Sequence, residues 1–147
     1  MRITDALLGE HEAFQIHFDE LTAAAEAALG DVPALTRQLA ARLAAHDDTE
    51  EETLFMALQS RLGPQSPLAL MEMEHLRIGD LIEDVLAADE PAQLRHRVAA
   101  LIDFMNDHFA KEEAVLFTLA EQFMDDGELE RLGAAWSRRR RLQRAAA

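Results

Sequence analysis

A chain of 147 residues, 49% of them hydrophobic, carries enough apolar mass for one core and too little for two full domains. Only 5% of residues are aromatic, and alanine, leucine, glutamate and arginine dominate, which excludes an all-β sandwich and favours helices. With no cysteine there is no disulfide, thiolate zinc site, iron–sulfur cluster or cysteine nucleophile, so any metal must be held by His, Asp and Glu.

The net charge of −14 is unevenly spread. From Glu128 onward, Arg131, Arg138, Arg139, Arg140, Arg141 and Arg144 outnumber Glu128 and Glu130, about +4 in all, which leaves about −18 on the rest. A body that acidic repels phosphate, so no nucleic acid is expected as its partner. Apolar runs of membrane-spanning or signal-peptide length are missing, Met1-Arg2-Ile3-Thr4-Asp5 included, and the chain is read as cytoplasmic with no membrane association.

Thr4 is the expected N-cap of a first helix, in which Leu7, Phe14, Phe18, Leu21, Ala25 and Leu29 recur at helical spacing until Gly30. Asp31-Val32-Pro33 opens a second helix, running through Leu35, Leu39, Leu43 and Leu54 to about Leu62, where Gly63-Pro64 closes it. Ser66-Pro67 opens a third, to about Ala88. Asp89-Glu90-Pro91 opens a fourth, through Leu101, Phe104, Val115 and Leu119 to about Met124, where Asp125-Asp126-Gly127 breaks it. A short fifth amphipathic stretch follows, with Leu129, Leu132, Trp136 and Leu142, and ends in the arginine run. Connections this short predict an all-α, up-down-up-down antiparallel four-helix bundle over residues 1–125, with a short C-terminal helix and Arg-rich tail over 126–147. The tail is expected to dock on the acidic body or to stay disordered, and the bundle is expected to hold metal without it.

At about 100° per residue, His11, His46, His75 and His108 fall in the centre of the four apolar faces. Glu50 and Glu112 project from the same faces one turn after His46 and His108. His17, about 120° around the helix from His11, and His96, at the start of the fourth helix, are expected at the surface. In antiparallel helices the four inward histidines come level within about a turn. Two buried carboxylates and four imidazoles at one height call for cations.

HxxxE alone is a weak signal, since six histidines and sixteen glutamates give about 0.65 such pairs by chance. The stronger one is a repeat. His46-x-x-x-Glu50-Glu51-x-x-Leu54-Phe55 returns as His108-x-x-x-Glu112-Glu113-x-x-Leu116-Phe117, and Glu10-His11-x-x-Phe14 returns faintly as Glu74-His75-x-x-Ile78. The first two helices are duplicated as the third and fourth, which predicts a pseudo-twofold.

The order His, HxxxE, His, HxxxE resembles the hemerythrin-like, or HHE cation-binding, family across nearly all of residues 1–125. That resemblance implies two iron ions bridged by Glu50, Glu112 and an oxo or hydroxo group, with His11, His46, His75 and His108 as terminal ligands. Oxygen-carrying hemerythrins place two histidines four residues apart on the third helix, where this chain has Met71 before His75 and Gly79 after it. Two six-coordinate irons take about twelve bonds and this set supplies about ten. Either exogenous ligands fill the remaining positions, or Glu72, one turn before His75, replaces the missing imidazole; Asp47 and Glu74 rank below it. Glu51 and Glu113 lie off the inward face and are candidates for outer-sphere partners.

The implied function is a non-haem diiron protein that binds or reacts with O2, peroxide or nitric oxide. An iron- or redox-responsive module without turnover, signalling to a protein partner through Trp136 and the arginine run, is the alternative from another class. Reversible O2 storage is a third, and the missing histidine counts against it. The chain has no phosphate-cradling glycine loop, GxSxG elbow or tyrosine.

Overall fold

The computed structural model describes residues 1–27, 30–63 and 66–146, so Leu29 and Pro64 lie outside the described residues. Helices α1 (Ile3–Glu26) and α2 (Val32–Glu50) come first, and α2 runs on through a π-helical stretch, Glu51–Phe55, into α3 (Met56–Leu62). Helices α4 (Leu68–Leu86) and α5 (Pro91–Lys111) follow; α5 continues through a second π-helical stretch, Glu112–Phe117, into α6 (Thr118–Phe123), and α7 (Asp126–Ala146) ends the chain. Among the described residues there is no strand, and no helix is long and apolar enough to cross a membrane.

Helix α1 starts before the expected cap. Thr4 is buried inside the first turn, with its hydroxyl donating to Glu121 Oε1, and the Arg2 N–H donates to Asp5 Oδ2 at 3.1 Å, which satisfies the free helix end instead. Asp125-Asp126-Gly127 ends one helix and also begins the next. Glu128 N–H donates to Asp125 Oδ1 at 2.7 Å and Asp125 N–H to Glu128 Oε2 at 3.2 Å, a reciprocal cap that starts α7.

Helix α1 packs on α2, α5 and α7, α2 packs on α4, and α4 packs on α5. Side chains join Thr4 to Glu121, His11 to Glu113 and Gln15 to Asn106, so α1 runs against the α5–α6 rod. Arg97 bonded to Asp84 and His108 bonded to Glu74 give α4 and α5 the same opposed sense.

Among the described residues the core is two apolar clusters. One gathers Phe14, Phe18, Leu21, Leu39, Leu43, Ile78, Leu101, Met105 and Phe109. The other gathers Ile3, Leu7, Leu54, Phe55, Leu58, Met71, Leu116, Phe117 and Leu129. On every rod a histidine falls between the two clusters: His11 between Leu7 and Phe14, His46 between Leu43 and Leu54, His75 between Met71 and Ile78, His108 between Met105 and Leu116. A polar layer thus crosses the core at one level.

The face of the fourth rod is turned from expectation. Met105, Leu116 and Ala120 are buried, whereas Phe104 and Leu119 are half-buried and Val115 is 38% exposed. His108 and Glu112, four residues apart and fully buried, set that face, and Met105 and Leu116 are the positions that continue it.

Helix α7 spans 21 residues, well beyond a short terminal stretch, and carries the arginine run within it. Leu129 is buried, Leu132 and Trp136 pack on the second cluster, and Leu142 is exposed. Arg61 pairs with Glu128 and Arg139 with Glu52, so the docked alternative holds for these positions. Gly133 sets the closeness of the contact, because a Cβ there would run into the backbone of Met1, Arg2 and Ile3. Ile3 is fully buried and cannot retreat. Gly133→Val should therefore lower the urea unfolding midpoint, a loss of about 1–3 kcal/mol, and shift Trp136 emission; wild-type stability would show that α7 is not seated this tightly.

Candidate metal centre

The polar layer converges on Glu112. Its Oε1 lies 2.9 Å from His108 Nε2 and 3.5 Å from His75 Nε2, and its Oε2 lies 3.3 Å from His11 Nε2. Glu50 comes within 3.9 Å of His75 Nε2. Donor atoms of His11, His46 and Glu112 all lie within 4.8 Å of one another, and so do those of His75, His108 and Glu112. Each triplet is able to hold a metal ion, and Glu112 belongs to both.

Every one of these histidines is held from behind by a carboxylate. Nδ1 of His11 donates to Glu113 at 2.8 Å, that of His46 to Glu10 at 3.0 Å, that of His75 to Glu51 at 2.7 Å, and that of His108 to Glu74 at 2.9 Å. With Nδ1 as the donor to its carboxylate, the neutral form of each ring has its Nε2 lone pair turned to the interior, the form that binds a metal. Aromatic rings fix the remaining freedom: Phe109 stacks on His11 with centroids 4.0 Å apart, Phe55 stacks on His75, and Phe14 meets the His46 edge.

What the four Nε2 atoms and the four oxygens of Glu50 and Glu112 lack is a hydrogen-bond partner; all eight are buried without one. Such atoms normally find partners, since leaving them unpaired costs about 1–3 kcal/mol each. Burial pushes the Glu112 carboxyl up, but the rings of His108, His11 and His75 outweigh it and hold it well below the usual carboxylate range. Burial, and then the Glu112 charge, push Glu50 well above that range. Burial pulls His75 down, yet Glu112, Asp47 and Glu51 outweigh it and hold the ring up at about 9. The two carboxyls of this pair are thus pushed in opposite directions.

The hemerythrin HHE cation binding domain matches residues 2–120. The chain belongs to that family. No curated protein and no solved structure matches it. Within this HHE domain the six residues expected from sequence, His11, His46, Glu50, His75, His108 and Glu112, are brought together. Glu72 is not among them. It is exposed beside Gln59, Ser66 and Ala69, because the inward positions before His75 are Met71 and Glu74. Asp47 is half-buried, and burial raises its carboxyl against the opposing charges of His75 and His46. His17 is half-buried beside Glu20, and His96 is exposed.

Glu51 and Glu113 accept from His75 and His11 at Nδ1. Glu74, ranked low as a metal ligand, braces His108 instead. Glu10 is the residue that sequence reading missed. Its signal was the echo of Glu10-His11 in Glu74-His75, which marks both glutamates as parts of one repeated device. The π-helical stretches were also unforeseen, and they follow directly on Glu50 and Lys111, inside the repeated motif.

Because Phe109 props His11 and also packs on Phe14, Phe18 and His46, its removal should loosen the layer. Phe109→Ala is expected to cost about 3–5 kcal/mol in chemical denaturation, against little for the half-exposed Phe123→Ala; equal effects would show that the layer does not lean on Phe109.

Proposed function

We propose that the chain is a cytoplasmic non-haem diiron protein that binds or reacts with a small oxidant, O2, peroxide or nitric oxide. In this reading residues 1–125 form an up-down-up-down antiparallel bundle, to which residues 126–147 are added. The observation that carries it is the set of eight buried, unpartnered nitrogen and oxygen atoms on six braced side chains. Such a set is costly empty and well suited to cations, and a mixed imidazole and carboxylate donor set fits iron.

His11 and His46 would hold one ion and His75 and His108 the other, with Glu112 between them and Glu50 completing the bridge. Glu112, held low by the rings around it and placed in both triplets, is the natural bridging group. Burial favours the protonated form of Glu50, so a cation there would compete with that proton. Glu72, exposed, is set aside as the replacement for the missing imidazole; Asp47 is the carboxylate whose charge is felt by His75 and His46. A bound iron pair supplies redox chemistry and open coordination positions for a small molecule. The protein's own residues orient four Nε2 atoms, hold the tautomers and keep water from the layer with Phe14, Phe55 and Phe109.

A second reading, an iron-responsive interaction module without turnover, is favoured by the contact of α7 with Glu10. Turnover separates the two: an enzyme consumes peroxide or nitric oxide catalytically, whereas a module changes only stability or protease sensitivity with iron.

Protein grown with ample iron should carry about two irons per chain and change its near-ultraviolet absorption when the anaerobic sample meets O2, peroxide or nitric oxide. Glu50→Ala and Glu112→Ala should each bring iron well below that level, with His17→Ala unchanged; full iron in both glutamate variants would overturn the site. Chelation should lower the thermal midpoint, since a ligand that binds only the folded chain stabilises it.

A further inference from the structure

The four carboxylates behind the histidines are not equivalent. Glu51 and Glu113 are half-exposed, whereas Glu10 and Glu74 are largely buried and each has a second duty. Glu74 accepts His108 Nδ1 on Oε2 and pairs through Oε1 with Lys111 Nζ, from the same helix as His108. Glu10 accepts His46 Nδ1 on Oε2 at 3.0 Å and pairs through Oε1 with Arg140 Nε at 2.7 Å. The use of the two oxygens is the same in both halves. The cation is not, because Arg140 comes from α7, which also donates the Trp136 indole N–H to Glu10 Oε2 at 3.1 Å.

We propose that α7 is a positioning element of the metal centre: Trp136 and Arg140 fix Glu10, Glu10 fixes His46, and the ion position formed with His11 and His46 depends on this helix while the other depends on Lys111. The inference rests on the diiron reading above and adds that its two positions are unequal and separately controlled. It also reverses the expectation that the bundle holds both metals without its C-terminal segment.

Three further observations bear on it. The side chain of Gln143 spans the backbone of the helix turn that carries His46, with Nε2 donating to Ala45 O and Oε1 accepting from Thr49 and Arg140. Arg140 is only 17% exposed, against 45% for Lys111, so its contact with Glu10 is the better shielded from solvent. And α7 begins beyond residue 120, where the family match stops, so Trp136 and Arg140 lie outside the matched residues while Glu10 and His46 lie within them.

Outer partners of metal-bound histidines change affinity by about 10–100-fold when removed. The test is an anaerobic Co(II) titration of the full chain, followed by visible absorption, which reads each binding step and its spectrum. Wild type should take up two ions. Arg140→Met and Trp136→Phe should weaken one step about tenfold or more and alter the spectrum of that step alone, and Lys111→Met should do so for the other step. Arg140→Lys should restore the first step, because lysine fills this place beside Glu74. Arg139→Met removes an α7 anchor that pairs with Glu52 and has no ion pair with Glu10, and should change neither step.

Unaltered binding in Arg140→Met and Trp136→Phe would overturn the relay, as would an equal loss in Arg139→Met, which would mean that α7 only supports the fold. If wild type takes up no Co(II), the diiron reading falls and the relay with it. If wild type takes up two and the variants do not discriminate between them, the relay alone falls.

Discussion

Everything in this protein is arranged around a layer of imidazoles and carboxylates inside an apolar bundle. Four imidazole nitrogens and two carboxylates meet there without hydrogen-bond partners, a condition an apolar core tolerates poorly. The two clusters on either side, one built on Phe14, Phe18 and Leu101, the other on Leu7, Leu54 and Leu116, supply the burial that offsets it. The helices cannot relieve the layer by rotating, since a turn that took His46 or Glu112 to solvent would take Leu43 or Leu116 with it.

Rigidity comes from behind the rings. A carboxylate on each Nδ1 selects the tautomer, and stacked or edge-on phenylalanines stop the rings from pivoting. The contrast between Glu50 and Glu112 has the same origin. Both are fully buried, but three histidine nitrogens approach Glu112 and one approaches Glu50. Those rings therefore hold Glu112 down, while burial and then the Glu112 charge push Glu50 up.

Helical periodicity made the four rods and the inward histidines legible, and the duplicated HxxxEE-x-x-LF motif made the pairing of Glu50 with Glu112 legible. What stayed hidden was hidden for physical reasons. Thr4 looks like a cap because threonine caps often, but a buried hydroxyl facing Glu121 is a tertiary fact that local propensity cannot contain. Val115 and Leu116 are adjacent apolar residues, and only the fixed positions of His108 and Glu112 decide which of them turns inward. The length of α7 was masked by its arginines, which read as tail because their partners, Glu10 and Glu52, lie far away in the chain. Glu10 itself resembles any surface glutamate until Trp136 and Arg140 cover it.

The bracing also crosses the duplication. His11 in the first half is held by Glu113 in the second, and His75 in the second by Glu51 in the first, while Glu10 and Glu74 hold histidines of their own half. A peptide of either half alone would thus lack one brace, yet two copies of such a half, related by a twofold axis, would supply the complete set to each other. Joining the halves in one polypeptide removes the need for them to stay identical. This chain has used that freedom where Glu10 and Glu74 meet their cations: an internal lysine serves one, and an appended helix serves the other.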